Sequence, residues 1–450
     1  MQFIIKKVVS IYKNVHFQSL FGNGLMAGIG MLSLALLYRS LSIEEIGVYI
    51  FILTVNGVME TLRGGFLTIT FIKFYSGTTG KRARQIAGSA WFLGIAVAAL
   101  AIVINIPAFF LADLFTDKGL ILSLKYFSVI PIVSLPSFMA NCVVQSYLRF
   151  DRLLILRILS QGSFLLAIFV LMLLKEVTLI SVLIVYAGSN LLSSICVLLF
   201  GWTKIGTLKY ANKETILELF HFGKYAMGTN INLSLFGVTS TFIINFLIGP
   251  AALAMYNLAG KLLQIIEIPL LSFAATGMPI LSTHYNNGKY DDMMYSLKKL
   301  IGMLTIALIP FVIIALIFAE PIIQLLGGEA YIHTEAPNLF RMFMLMSLLY
   351  PIDRFFALAI DVIHLPKVNF YKILVMVAAF VVAVFIGISI YKSIYSIAIA
   401  SLFPGIVAIV MTYYPLNKFK KISIVDIYVT GYKEVVLFLK GFSKAAFSRV

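Results

Sequence analysis

The chain has 450 residues, of which 61% are hydrophobic and only 12% charged, with a formal net charge of +16. Such a composition excludes a soluble globular fold and marks a polytopic membrane protein. The basic excess does not signal nucleic-acid binding, because Lys and Arg collect on alternate loops, as membrane orientation requires.

The opening stretch, residues 1–16, interleaves apolar residues with Lys6, Lys7 and Lys13 and reads as a cytoplasmic interfacial segment. Twelve apolar runs long enough to cross a bilayer as helices follow. The first, 17–38, clusters Gly22, Gly24, Gly28 and Gly30, which suit close helix packing, since no strand precedes them as a nucleotide loop requires.

The second, 47–72, is the most informative. At about 1.5 Å of rise per residue it crosses a hydrocarbon core of about 30 Å with Glu60 and Arg63 near the middle. Tyr49, Asn56, Glu60 and Arg63 share one helical face, which must look into protein or water. The pair reads equally well as a structural ion pair and as a substrate or ion site.

A basic loop, SGTTGKRARQ, leads to spans 86–112 and 122–148, the latter bent by prolines with Pro136 as the expected hinge. Spans 153–174 and 178–201 complete a first lobe, 17–201, and the polar segment 202–218 reads as a cytoplasmic linker. A second lobe, 219–415, holds spans 219–247, 252–282, 298–319, 337–360, 370–391 and 395–415. Asn230 and Asn232 make the first of these unusually polar, as in a cavity-lining helix. The next carries Asn257, Lys261, Gln264 and Glu267, three or four residues apart. Lys261 has no carboxylate one turn away in its own helix, and is the expected anion contact. The span 337–360 has a bend expected at Pro351, and Arg354 is expected to pair with Asp353 or Asp361. The tail, 416–450, is basic and too interrupted by Asp426, Lys433 and Glu434 to be a thirteenth span, so an interfacial helix is expected.

The halves echo one another. Tyr49, Glu60 and Phe66 recur at one constant offset as Tyr256, Glu267 and Phe273, and Pro136 and Arg157 recur at a slightly longer one as Pro351 and Lys372. Lys and Arg crowd the amino terminus, the even loops and the tail, which predicts that both termini are cytoplasmic. Enzymatic constellations are missing: the five histidines show no zinc-type spacing, there is no Walker loop, and Cys142 and Cys196 both fall within spans. No enzyme activity, cofactor or metal is expected.

Four stretches in order, RSLSIEEIGVYIFI, QSYLRFDRLLILRIL, LIGPAALAMYNLAGKL and LLGGEAYIHTEAPNLF, resemble the polysaccharide-lipid flippases of the multidrug/oligosaccharidyl-lipid/polysaccharide exporter superfamily, over essentially the whole chain. The resemblance implies an all-α fold of about twelve transmembrane helices, arranged as two six-helix lobes about a pseudo-twofold axis. It also implies a bacterial cytoplasmic membrane protein that moves undecaprenyl-diphosphate-linked oligosaccharides from the cytoplasmic to the outer leaflet by alternating access. The first span lacks both the Arg of the lipid II flippase branch and the acidic residue common in drug exporters.

On that reading Arg63 and Lys261 contact the diphosphate, with Asn56, Asn230, Asn232 and Gln264 beside them, while Glu60 and Glu267 set local charge or couple an ion. Expected partners are the lipid-linked substrate, bilayer lipids and a glycan polymerase, with no nucleic acid. The alternatives are a cation-coupled drug exporter of the same superfamily and, more remotely, a membrane enzyme of glycan assembly.

Overall fold

Apolar side chains crowd every long segment, so each backbone must satisfy itself internally, and helices are the result. The computed structural model describes residues 15–391 and 393–447, without the side chains of some helical residues, including 228–233. Among the described residues the chain is helical throughout, with short connections and no strand. The expected surface segment 1–16 lies almost wholly outside them, and the side chains of Asn230 and Asn232 lie outside them too.

The helices are α1 (Val15–Ser40), α2 (Ile43–Tyr75), α3 (Gly80–Leu114), α4 in two pieces (Lys118–Val133 and Leu135–Ser146), α5 (Phe150–Leu174) and α6 (Leu179–Leu199). They continue with α7 (Lys213–Leu247), α8 in two pieces (Pro250–Leu262 and Gln264–Asn286), α9 (Tyr290–Ile317), α10 (Ala336–Val362), α11 (Pro366–Ile390), α12 (Ile394–Phe419) and α13 (Ile424–Phe447). Every predicted span falls on one of them. Among the described residues nine are long and apolar enough to cross a membrane, and the bent α4 makes a tenth. In α1 and α7 the described apolar stretches are Gly24–Ser40 and Gly237–Leu247.

The chain divides into two compact units, 1–251 and 252–450. The sequence reading set the boundary at the 202–218 linker, whereas α7 packs with the first unit. The cause is aromatic: Phe51 meets Phe242 and Phe246 at ring separations of 5.0 and 5.6 Å, and Phe66 meets Phe220 at 5.7 Å. Between them Gly223 lets the helices touch, since a Cβ there would lie 2.7 Å from the Phe66 carbonyl oxygen. The polar linker is also held in place: its 3₁₀ turn Ile205–Tyr210 lies against α3, where Trp91 donates to the Thr203 carbonyl at 2.7 Å. The core of this unit gathers Phe71, Trp91, Met139, Val143 and Leu219.

The second unit is centred on Leu297, Phe355, Phe356, Ile360 and Leu416, from α9, α10 and α12. A helix, α13, forms within the tail and lies across α9. Gly302 and Gly431 meet backbone to backbone, and a Cβ on Gly302 would sit 2.6 Å from the Gly431 Cα. Lys298 pairs with Asp426 at 3.6 Å, and Glu434 accepts from Lys299 and from Tyr295. The hydrogen bond from the Lys299 ammonium, followed by that from Tyr295, holds the Glu434 carboxyl below its usual range. This contribution to docking is therefore present at neutral pH and is lost only on strong acidification. Gly302→Leu should release α13, read as new protease cleavage near residue 424 in membranes; unchanged cleavage would show that the crossing is not needed.

Candidate functional site

In the first unit the candidate site forms where α2 passes the break in α4. Pro136 lacks a backbone donor and crowds the preceding turn. The two pieces of α4 meet at 46° at Ser134, two residues before the proline expected to be the hinge. The break leaves backbone groups to be satisfied inside the membrane segment. Arg63 meets part of that need: its guanidinium donates to the Pro131 carbonyl at 3.0 Å and to the Ser134 hydroxyl at 2.9 Å. It also lies 4.1 Å over the Phe138 ring.

Ser194 of α6 meets the rest. Its hydroxyl donates to the Val133 carbonyl at 2.6 Å and accepts from the Ser137 N–H at 3.3 Å, so it stands in for one rung of the helix ladder. Ser194→Ala should orphan both groups at a cost of about 1–3 kcal/mol, lowering the thermal midpoint of the purified protein. An unchanged midpoint would show the rung to be dispensable.

Arg63 is 2% exposed, while the Glu60 side chain is 38% exposed. Glu60 accepts from the Arg63 guanidinium through both oxygens, at 2.7 and 2.6 Å. The Arg63 terminal nitrogens Nη1 and Nη2 are thus bonded within the protein, while its buried Nε has no partner among the described residues, and the carboxylate is the accessible half of the pair. Immediately after Arg63 the helix widens into a π turn, Gly64–Thr68, which lets the chain absorb an extra residue beside the pair. Asn56, one turn earlier, is 8% exposed and borders a cavity of about 350 Å³ between α2, α4 and α6.

In the second unit the expected site residues flank a break of another kind. Lys261 and Leu262 end the first piece of α8, and Gln264 and Glu267 open the second, where the sequence suggested one continuous span. Gln264 and Glu267 are exposed, and Lys261 is half-buried. Among the described residues Lys261 has no hydrogen bond or ion pair, and the Glu267 carboxylate acts on it through space. Glu267 also acts on Tyr350, which lies beside Pro351. Pro351 follows a 3₁₀ turn, Ser347–Leu349, that interrupts α10 without breaking the span.

The expected pairing of Arg354 is not what forms. Asp353 instead accepts from the buried Lys372 of α11 at 3.0 Å, and Asp361 accepts from Asn369 at 2.8 Å. Arg354, one residue further round the helix from Asp353, is exposed. Sequence reasoning had noted Lys372 only as the repeat counterpart of Arg157. It missed Ser134 and Ser194 because single serines in apolar spans carry no spacing signal.

A family model described as "polysaccharide biosynthesis protein" matches residues 36–335. No curated protein matches the sequence significantly. Among solved structures, an inward-facing multidrug resistance MATE family transporter of the MOP superfamily is similar at a TM-score of 0.71 and 14% identity, over 88% of this chain and 96% of that one. The lipid II flippase MurJ in an inward closed conformation is similar at 0.71 and 14%, over 94% and 92%. A MATE transporter of Vibrio cholerae, VcmN, gives 0.55 and 15%, over 92% and 97%.

Proposed function

Because this chain belongs to the polysaccharide biosynthesis protein family and has the fold of the MOP superfamily transporters, we propose that it flips undecaprenyl-diphosphate-linked oligosaccharide from the cytoplasmic to the outer leaflet of a bacterial cytoplasmic membrane. Both termini lie on the cytoplasmic side in this reading, following the crowding of Lys and Arg there. The observation that carries the substrate class is Lys261. A half-buried ammonium in the run 252–282 that the sequence predicts as a span, without a bonded counter-charge among the described residues, is costly to keep and suited to an anionic headgroup.

Gln264 and Glu267, exposed on the next turn, offer a hydrogen-bonding side chain and a carboxylate that balances Lys261 when no substrate is bound. Glu60, the accessible half of its pair, is the coupling group proposed for the first unit. Arg63, with its guanidinium committed to α4 and Glu60, holds that carboxylate in place.

The test is deletion of the gene in its own host, with assay of surface glycan and of the lipid-linked unit. Loss of glycan with accumulation of the unit in the inner leaflet, reversed by the intact gene, is the expected result. Normal glycan together with sensitivity to cationic drugs would move the protein to the drug-exporting branch.

A further inference from the structure

In the first unit the start of α3 and the 3₁₀ turn Ile205–Tyr210 form one fixed basic surface. A Cβ on Gly88 would lie 2.3 Å from the Thr207 carbonyl oxygen, so the turn is seated directly on the α3 backbone. On one side of the turn Trp91 donates to the Thr203 carbonyl at 2.7 Å; on the other the Asn212 N–H donates to the Ser89 hydroxyl at 3.4 Å. Two side chains on this frame converge on one ring. The Arg84 guanidinium and the Lys209 ammonium each lie 5.4 Å from the centre of the Tyr210 ring. All three side chains are exposed, Tyr210 at 37%.

Neither cation has an ion pair among the described residues. Of the carboxylates at the start of α7, Glu218 accepts from Arg82, which also donates to the Thr215 hydroxyl at 3.0 Å, and Glu214 is joined to neither Arg84 nor Lys209. Like charges drawn to one ring repel, and an anion shared between them offsets that repulsion. The surface also stands beside lipid-facing side chains. The 35 residues of α3 make about 50 Å of helix against a hydrocarbon core of about 30 Å, and its exposed apolar side chains begin only at Phe92, two turns after Arg84. The turn follows the end of α6, where Leu199 and Phe200 are 80% and 53% exposed. Trp202, next along, carries the Arg152 guanidinium 5.3 Å from its ring, as aromatic residues at a membrane boundary do. A basic surface at that level meets lipid headgroups before it meets a soluble acidic protein.

We propose that Arg84, Tyr210 and Lys209 bind the headgroup of an acidic bilayer phospholipid, its phosphodiester held by the two cations and its acyl chains in the hydrocarbon layer. The site is separate from the one proposed for the diphosphate and does not rest on that reading.

The full-length protein in vesicles of phosphatidylcholine and phosphatidylglycerol is photolabelled with phosphatidylglycerol bearing a diazirine near its headgroup. Phosphatidylcholine carrying the same group is used in parallel, and the labels are located by peptide mapping. The phosphatidylglycerol probe is expected to label 80–92 and 203–213 well above the phosphatidylcholine probe. Arg84→Gln combined with Lys209→Gln should remove that preference, by roughly fivefold for each charge. Lys433→Gln combined with Lys440→Gln, the same change of net charge in the other unit, should leave it in place. Equal labelling by the two probes would overturn the proposal. Equal losses from the two double variants would also overturn it, since they would mark a diffuse surface potential. Farnesyl diphosphate that displaces the label where excess phosphatidylglycerol does not would overturn it in favour of an isoprenoid diphosphate. Should the first double variant lose its fold, Lys209→Gln alone is read in its place, against a loss of roughly fivefold.

Discussion

Glu60→Ala should cost roughly 3–5 kcal/mol, because it strands the deeply buried Arg63 without its counter-charge. The reverse change, Arg63→Leu, should cost less. It orphans the Pro131 carbonyl, at about 1–3 kcal/mol, but the carboxylate it leaves behind is already partly accessible. The double replacement should therefore be more stable than Glu60→Ala alone. Thermal unfolding of the purified variants, followed by a fluorescent reporter of aggregation, gives the order. If Glu60→Ala is as stable as the parent, the pair is not structural and the sharing of roles proposed for it fails. Glu60→Gln keeps an acceptor for the guanidinium, and should separate stability from transport. A stable Glu60→Gln protein that no longer exports glycan would place the carboxylate's charge in the transport cycle.

The second expected result is sharper in its readout. Lys261→Ala should abolish glycan export while leaving the amount of protein in the membrane unchanged, because no hydrogen bond or ion pair among the described residues depends on that ammonium. Removing a half-buried, unbonded charge relieves a desolvation cost instead of creating one. Lys261→Arg, which preserves charge in a different geometry, should retain part of the activity. Export by Lys261→Ala at the parental level would remove this residue from the substrate site. A fall in protein level would instead reveal a folding role.

Much of this was legible in the residues. The twelve apolar runs place the helices because spanning a bilayer demands both length and apolarity, and few other sequences meet that demand. Glu60 and Arg63 announce themselves because charge at the middle of such a run has to be neutralised or used. The sequence left their pairing open between two roles; what it could not show is that the Arg63 guanidinium also donates to Pro131 and Ser134, on another helix at a break. Their position depends on where the helix fails, and Pro136 indicates that only to within a turn. Lys372 illustrates the same limit. Its partner Asp353 belongs to the neighbouring helix, and only packing decides whether Asp353 meets it or the adjacent Arg354. The placement of α7 was hidden for a similar reason: the polar stretch before it looks like a hinge by composition, but Trp91 and a row of phenylalanines fasten what lies on both sides of it.

The attachment of α7 to the first unit bears on how the polypeptide can be cut in two. Co-expressed fragments divided within 202–212 would part α2 from the helix its phenylalanines grip, leaving an aromatic seam bare on one piece and its complement on the other. A division at Gly249, whose φ of 117° marks the tight connection after α7, keeps that seam intact. Fragments severed there should each reach the membrane and reassemble, whereas those severed upstream should be degraded before they meet.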